Sequence, residues 1–192
     1  MTLARENADI HDGSTNITAL GTVTAGNLSN ADIVYPAGHV IQTTTVTAGS
    51  TNTDCNQGNG VWTPTVITAS ITPSGSSNSI IIFCEVFAYW NNSSADLAYS
   101  FKFKKVHSGG TSYPSPNLSQ WGSATTYQGL YHNTGTGDNN YQHNLIYQDS
   151  AGGVTDSAIT YTLECSEHNA ESLVVGSGLS GYWKIWFQEI KR

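Results

Sequence analysis

The chain has 192 residues, only 11% of them charged, and its 7 basic against 14 acidic side chains leave a formal charge of −7. That balance repels a phosphate backbone and offers no basic stripe, so nucleic acid is not an expected partner. No run approaches the roughly 18 apolar residues of a membrane span, so membrane insertion is not expected either.

Residues 1–33 are thin in apolar side chains. Ile17, Leu20, Val23, Leu28 and Ile33 are scattered through Thr, Asn, Ala, Gly and Asp. They are too few for an independent core when ordering the backbone costs about 1–2 kcal/mol per residue. The expectation is an extended N-terminal arm that finds its burial in an assembly, against sister chains or another protein; the alternative is an arm lying along the domain's own surface. The opening MTLARENADIHDG lacks the apolar centre of a signal peptide, which leads us to expect synthesis in the cytoplasm. The N-x-S/T triplets at Asn16, Asn27, Asn91, Asn92 and Asn117 arise readily in a chain this rich in Asn, Ser and Thr.

From residue 34 to 192 the pattern is that of strands. HVIQTTTVT is rich in β-branched residues, and TPTVITASITP alternates between two prolines. NSIIIFCEVFAYW is apolar on both faces except at Glu85, as expected of a central strand covered twice. LAYSFKFKKVHSGG sets Tyr99, Phe101 and Phe103 on one face and Lys102 and Lys104 on the other, solvated one. With Lys105 these lysines form the only basic cluster. AITYTLEC should bury Ile159, Tyr161, Leu163 and Cys165 and show Glu164; GYWKIWFQEI should bury Trp183, Ile185 and Phe187. Weaker strands are predicted at TTYQGLYHN and YQHNLIYQD. The separators TPSGSSNS, HSGGTS, NTGTGDNN, SAGGVTD and GSGLSG are turn-forming. About eight short strands with several long connections indicate an all-β protein, an antiparallel β-sandwich of jelly-roll type.

Three cysteines cannot all pair within the chain. Cys84 and Cys165 lie in apolar strand contexts, where thiols behave as small hydrophobes, and Cys55 lies in a loop, partly exposed. No CxxC or HExxH spacing appears, so neither a metal nor a cofactor is expected. None of the six histidines forms a close ligand pair, although His132 and His143 flank a predicted hairpin tip and could meet in space. No G-x-S-x-G elbow occurs. The acids Glu85, Asp96, Asp138, Asp149, Asp156 and Glu164 offer no pairing that any β protein would not, so enzyme activity is not expected.

Glycan binding has more support. Sugar sites combine aromatic platforms with amide or carboxylate groups, and loop aromatics adjoin such groups three times. YWNNSSAD supplies Trp90, Asn91 and Asn92; LSQWGSATTYQGLY supplies Trp121, Tyr127 and Tyr131; TGDNNYQHN supplies Asp138, Asn139 and Tyr141. The competing reading has Trp90 capping a sheet edge, Trp121 filling a core corner and the tyrosines lining a subunit interface.

GTVTAGNLSN followed by VYPAGHVIQ resembles the N-terminal part of structural proteins from tailed, especially marine, bacteriophages. SIIIFCEV, YSFKFKKVHSGGTSY, SAITYTLEC and the closing WKIWFQEIKR are similar to later blocks of that group, in the same order. The resemblance implies a virion component on tail or capsid, a homotrimeric tail-fibre-like or surface knob with a jelly-roll core. On that reading the arm engages other virion proteins, and the loop aromatics named above make host-surface glycan the candidate receptor. Lys104 or Lys105 stands where the group carries Arg, and the long shaft of a true fibre is missing. A capsid decoration protein tied to the shell by residues 1–33 and a free β-sandwich lectin are the alternatives.

Overall fold

The computed structural model describes residues 36–55, 61–92, 97–114, 131–132, 137–154, 157–168, 173–176 and 182–192. Among them are strands and no helix. The long strands are β4 (Thr63–Ile71), β5 (Ser79–Asn92), β6 (Leu97–His107), β9 (Gly137–Ser150), β10 (Ile159–His168) and β12 (Trp183–Ile190). Short ones are β1 (Val40–Thr43), β2 (Thr47–Gly49), β3 (Thr53–Asp54), β7 (Gly110–Ser112), β8 (Tyr131–His132) and β11 (Leu173–Gly176). The excess over the eight predicted comes from pieces of two to four residues, too short for alternation to be read.

All pairings are antiparallel, in two sheets. In the first, β5 is central. β9 runs along one side of it from Ser79↔Ser150 to Asn92↔Gly137. Its other side is shared end to end, β12 pairing residues 79–85 and β11 residues 87–90. β1 and β2 flank β12, and β3 flanks β11. The second sheet has the order β4-β10-β6-β7, with β8 also on β6. The chain changes sheet between β3 and β4, β4 and β5, β5 and β6, β8 and β9, β9 and β10, and β10 and β11. A meander would stay in one sheet; this alternation makes the sandwich jelly-roll-like.

The period-two pattern sets the core. Ile80, Ile82, Cys84, Val86 and Ala88 on β5 face Tyr99, Phe101 and Phe103 on β6 and Ile159, Tyr161, Leu163 and Cys165 on β10. With Trp183, Ile185 and Phe187 on β12, none of these side chains is more than 6% exposed. Each large one contributes about 1.5–3 kcal/mol by leaving water.

Several expectations are corrected. Cys55 is buried and bonded to Cys165, so one disulfide joins the two sheets and Cys84 is the buried free thiol. The sequence context of Cys55 is polar, but its N–H donates to the Leu173 carbonyl at 2.8 Å, which draws the end of β3 inward. Glu164 is buried rather than shown, because Lys102 and Lys104 close over it. Lys105 continues the inward parity of Phe103 and is buried. Its ammonium meets the Asp149 carboxylate at 2.9 Å and donates to the Ser150 carbonyl at 2.7 Å, while Tyr161 donates to Asp149 at 2.7 Å. Burial, followed by the Asp149 hydrogen bond and charge, raises the Tyr161 phenol far above its ordinary value. YQHNLIYQD belongs to a 14-residue strand, β9. Within TTYQGLYHN only Tyr131–His132 is described, as β8.

The turn between β4 and β5 is organised by one carboxylate. Glu189 on β12 is fully buried and accepts from Asn78 Nδ2 at 2.6 Å, Gln42 Nε2 at 2.6 Å and the Ser74 N–H at 2.9 Å. Burial pushes its carboxyl up, but the hydrogen bonds from Asn78, Gln42 and Ser74 outweigh it and hold the group below its ordinary range.

Candidate functional site

One end of the sandwich collects the residues singled out for glycan contact. The β5–β9 register places Trp90 opposite Asn139 and Asn91 opposite Asp138, with Tyr141 opposite Ala88. Two segments almost fifty residues apart in sequence thus become one pair of strand ends. Leu173 of β11 pairs with Trp90 from the other side. Tyr131 pairs with Ala98 at the start of β6, in the second sheet. The strand ends flanking residues 93–96, 133–136 and 169–172 all converge here, and such loop-bearing ends are where sandwiches carry binding function. Trp121 and Tyr127, like the arm residues Ile17, Leu20, Val23, Leu28 and Ile33, lie outside the described residues.

Beneath this end, a polar-aromatic cluster ties the sheets together. Tyr99 of β6 and His143 of β9 share a 2.6 Å hydrogen bond between the phenol oxygen and Nε2. His143 also lies 5.7 Å from the Phe101 ring and 6.5 Å from the Tyr141 ring, centroid to centroid. Burial first, then the proximity of Tyr141, raises the Tyr99 phenol well above its ordinary value. Tyr99 therefore stays a neutral phenol across the physiological range, and Tyr141 packs at the edge of the cluster. His132 is on β8 of the second sheet, so the two histidines expected at one hairpin tip belong to different sheets. Among the described residues, no group of three or more His, Cys, Asp or Glu side chains is placed to hold a metal ion.

A second cluster, on the outer face of the second sheet, has no counterpart in the sequence reading. Lys102 places its ammonium 4.1 Å from the centre of the Trp62 ring and 4.1 Å from that of Tyr113, and 3.3 Å from Glu164. The expected solvated lysine is a clamp, its side chain 15% exposed. Cation–π contacts of this kind contribute about 0.5–2 kcal/mol each. Trp62 and Tyr113 come from a strand start and a strand end far apart in sequence, so no local periodicity points to them. Because Lys102 already occupies ring faces that a ligand would use, the arrangement braces β4, β6 and β10 instead of offering an open aromatic cage. Three of the six acids considered for hydrolysis are ion-paired: Glu164 with Lys102, Glu85 with Lys184 at 3.3 Å and Asp149 with Lys105; Asp96 and Asp156 lie outside the described residues.

No protein-family model matches the chain, and no curated protein matches it. Among solved structures, a chain of the T13 IBDV viral particle is similar at 14% identity and TM-score 0.40, over 88% of this chain and 40% of that one. A chain of infectious bursal virus derived T=1 particles is similar at 15% identity and TM-score 0.39, over 88% of this chain and 41% of that one. The CBM22-1 xylan-binding domain of Paenibacillus barcinonensis Xyn10C is similar at 10% identity and TM-score 0.30, over 83% of this chain and 99% of that one. The chain spans about two fifths of the length of the virus chains it matches. Likeness at this level carries no inference about what the chain does.

Proposed function

We propose that this chain is a non-enzymatic structural protein of a tailed-bacteriophage virion: a homotrimeric, tail-fibre-like or surface knob carried on tail or capsid. Its arm, residues 1–33, engages other virion proteins, and its loop-bearing end meets host glycan. One observation carries the reading. GTVTAGNLSN lies outside the described residues; the other blocks with phage-protein resemblance fall on β1, β5, β6–β7, β10 and β12, in chain order, and include the inner strands β5 and β12 of one sheet and β6 and β10 of the other. A resemblance confined to a surface loop could be accidental. One spread over the strands that build the core concerns the whole domain.

The glycan part rests on the pairing of Trp90, Asn91 and Asn92 with Gly137, Asp138 and Asn139. That register brings into one pair of strand ends the residue types that stack on a sugar ring and bind its hydroxyls.

The test is to band particles of a phage encoding this chain in a density gradient and to probe the fractions with antibody to the chain. Co-banding with intact particles is expected; chain found only among soluble proteins of the lysate would sink the virion reading. Loss of the arm should release it from particles. Binding of purified chain to a glycan array, abolished by Trp90→Ala or Asn139→Ala, would support the adhesion role. Array binding without any particle association would favour the free lectin.

A further inference from the structure

The outer face of the first sheet does not look like a solvent face. On β5 the residues pointing away from the core are Ile81, Phe83, Glu85, Phe87 and Tyr89, all half-buried, and Phe83 is flanked by Ile146 of β9 and Trp186 of β12 in one cross-strand row. Ile146 is 65% exposed. A strand apolar on both parities was expected to be covered on both faces; the second sheet covers one.

From this we infer that the outer face of the first sheet is the surface on which copies of this chain associate, brought to a shared axis in the oligomer. The inference rests on the oligomeric reading proposed above and locates its interface.

Three observations select a second copy as the occupant. The first is charge. A chain of net charge −7 should repel itself, yet on this face Glu85 is neutralised by Lys184 at 3.3 Å, and the flanking β9 positions are the amides Gln142, Asn144 and Gln148. Amides both donate and accept, so the face is complementary to itself.

The second is area. The strands of this sheet, 49 residues in all, each covering about 3.3 Å by 4.8 Å, give a face of roughly 780 Å². A standard stable interface takes about 800 Å² from each partner.

The third is ring geometry. Phe83 and Trp186 stack on each other at 5.1 Å with their planes 5° apart, a separation close to the strand spacing. The rings therefore stand side by side with edges outward, a ridge that inserts among opposing side chains. A sugar ring would need a flat platform, which this stack does not present.

The experiment is the native mass of the full-length chain beside Ile146→Lys, with Val66→Lys as control, since Val66 is 37% exposed on β4 of the other sheet. Ile146 is exposed enough that the change should leave the fold intact. An unpaired charge buried at the axis in every copy is expected to weaken association by about a hundredfold or more, while the control keeps its mass. As a second measurement, Ile146→Cys and Val66→Cys are treated with a short bismaleimide. Cys84 is buried and the other cysteines are bonded, so the new thiol is the reactive one, and only Ile146→Cys should link chains. A wild-type oligomer that survives Ile146→Lys and links no chains through Ile146→Cys overturns this interface and leaves the virion reading standing. A wild-type monomer overturns self-association, whereas particle co-banding decides the virion reading separately.

Discussion

Removing the Cys55–Cys165 bond should be the most damaging single covalent change to this domain. The bond joins residues 110 apart in sequence, linking the end of β3 at one edge of the first sheet to β10 in the second. In the chain-entropy account, opening a loop of that size releases about 4.8 kcal/mol of denatured-state entropy. For a domain of this length 1 kcal/mol corresponds to about 2–4 °C, so the melting temperature should fall by about 10–20 °C. Both sulfurs are buried. Reductant must therefore wait for the structure to open, and reduction should be slow in native buffer and fast near the melting transition. Bacterial cytosol keeps thiols reduced, so chain made there should carry three titratable thiols when unfolded and gain stability on air oxidation, ending with one. The assay is a thermal melt of oxidised and reduced protein, with thiol counts in denaturant and Cys55→Ala/Cys165→Ala alongside. Coincident melts, or three thiols that persist after oxidation, would refute the reasoning.

Three further outcomes are expected. Glu189→Gln turns an acceptor into a donor facing the donors of Asn78, Gln42 and Ser74 and should cost about 3 kcal/mol near neutral pH. Because the folded carboxyl lies below its ordinary value of about 4.5, its contribution is complete above that pH and is lost as pH falls through the lower folded value. Urea midpoints of wild type and variant should therefore converge in acid. Lys105→Met leaves Asp149 buried without its cation and should cost about 3–5 kcal/mol, while Lys105→Met/Asp149→Leu should recover most of that in a double-mutant cycle. Gly176 has φ +124°, and an added Cβ would run into the Thr51 carbonyl oxygen. Gly176→Ala should then cost at least about 2 kcal/mol by chemical denaturation, clearly more than Gly38→Ala, where φ is +89° but the space is open.

Where burial alone decides, the structure was legible from alternation. Phe101 and Phe103 on β6, or Leu163 and Cys165 on β10, announce their face because every second residue is apolar. The pattern weakens where a polar group is buried with a partner from elsewhere. Lys105 falls inward if the parity of Phe103 is continued, but a lysine doublet reads as surface, and only the distant Asp149 explains its burial. Glu189 and Glu164 are the same case, each satisfied by groups remote in sequence. The disulfide lacked any local signal for the same reason. For the candidate site, composition named both halves, Trp90–Asn92 and Asp138–Tyr141, but not their meeting. That depends on β5 and β9 staying in register for their full length, and the N-terminal half of β9, GDNNYQHN, has too few apolar residues to declare itself a strand.

The two outer faces show how much a strand's second parity can say. On β10 the outward positions are Thr160, Thr162 and Glu164. Thr160 and Thr162 hydrogen-bond the Ser70 and Thr68 hydroxyls of β4 at 2.8 and 3.1 Å, and Glu164 is ion-paired with Lys102. These outward polar groups are satisfied within the sheet, Ser166 Oγ excepted, so that face can meet water without a partner. On β5 the outward Ile81, Phe83 and Phe87 have no polar groups to satisfy, and their exposed area is a standing free-energy cost of about 25 cal/mol per Å² until something covers it. The same sequence therefore builds one face for solvent and one for a partner. The choice is already written in whether a strand is apolar on one parity or on two.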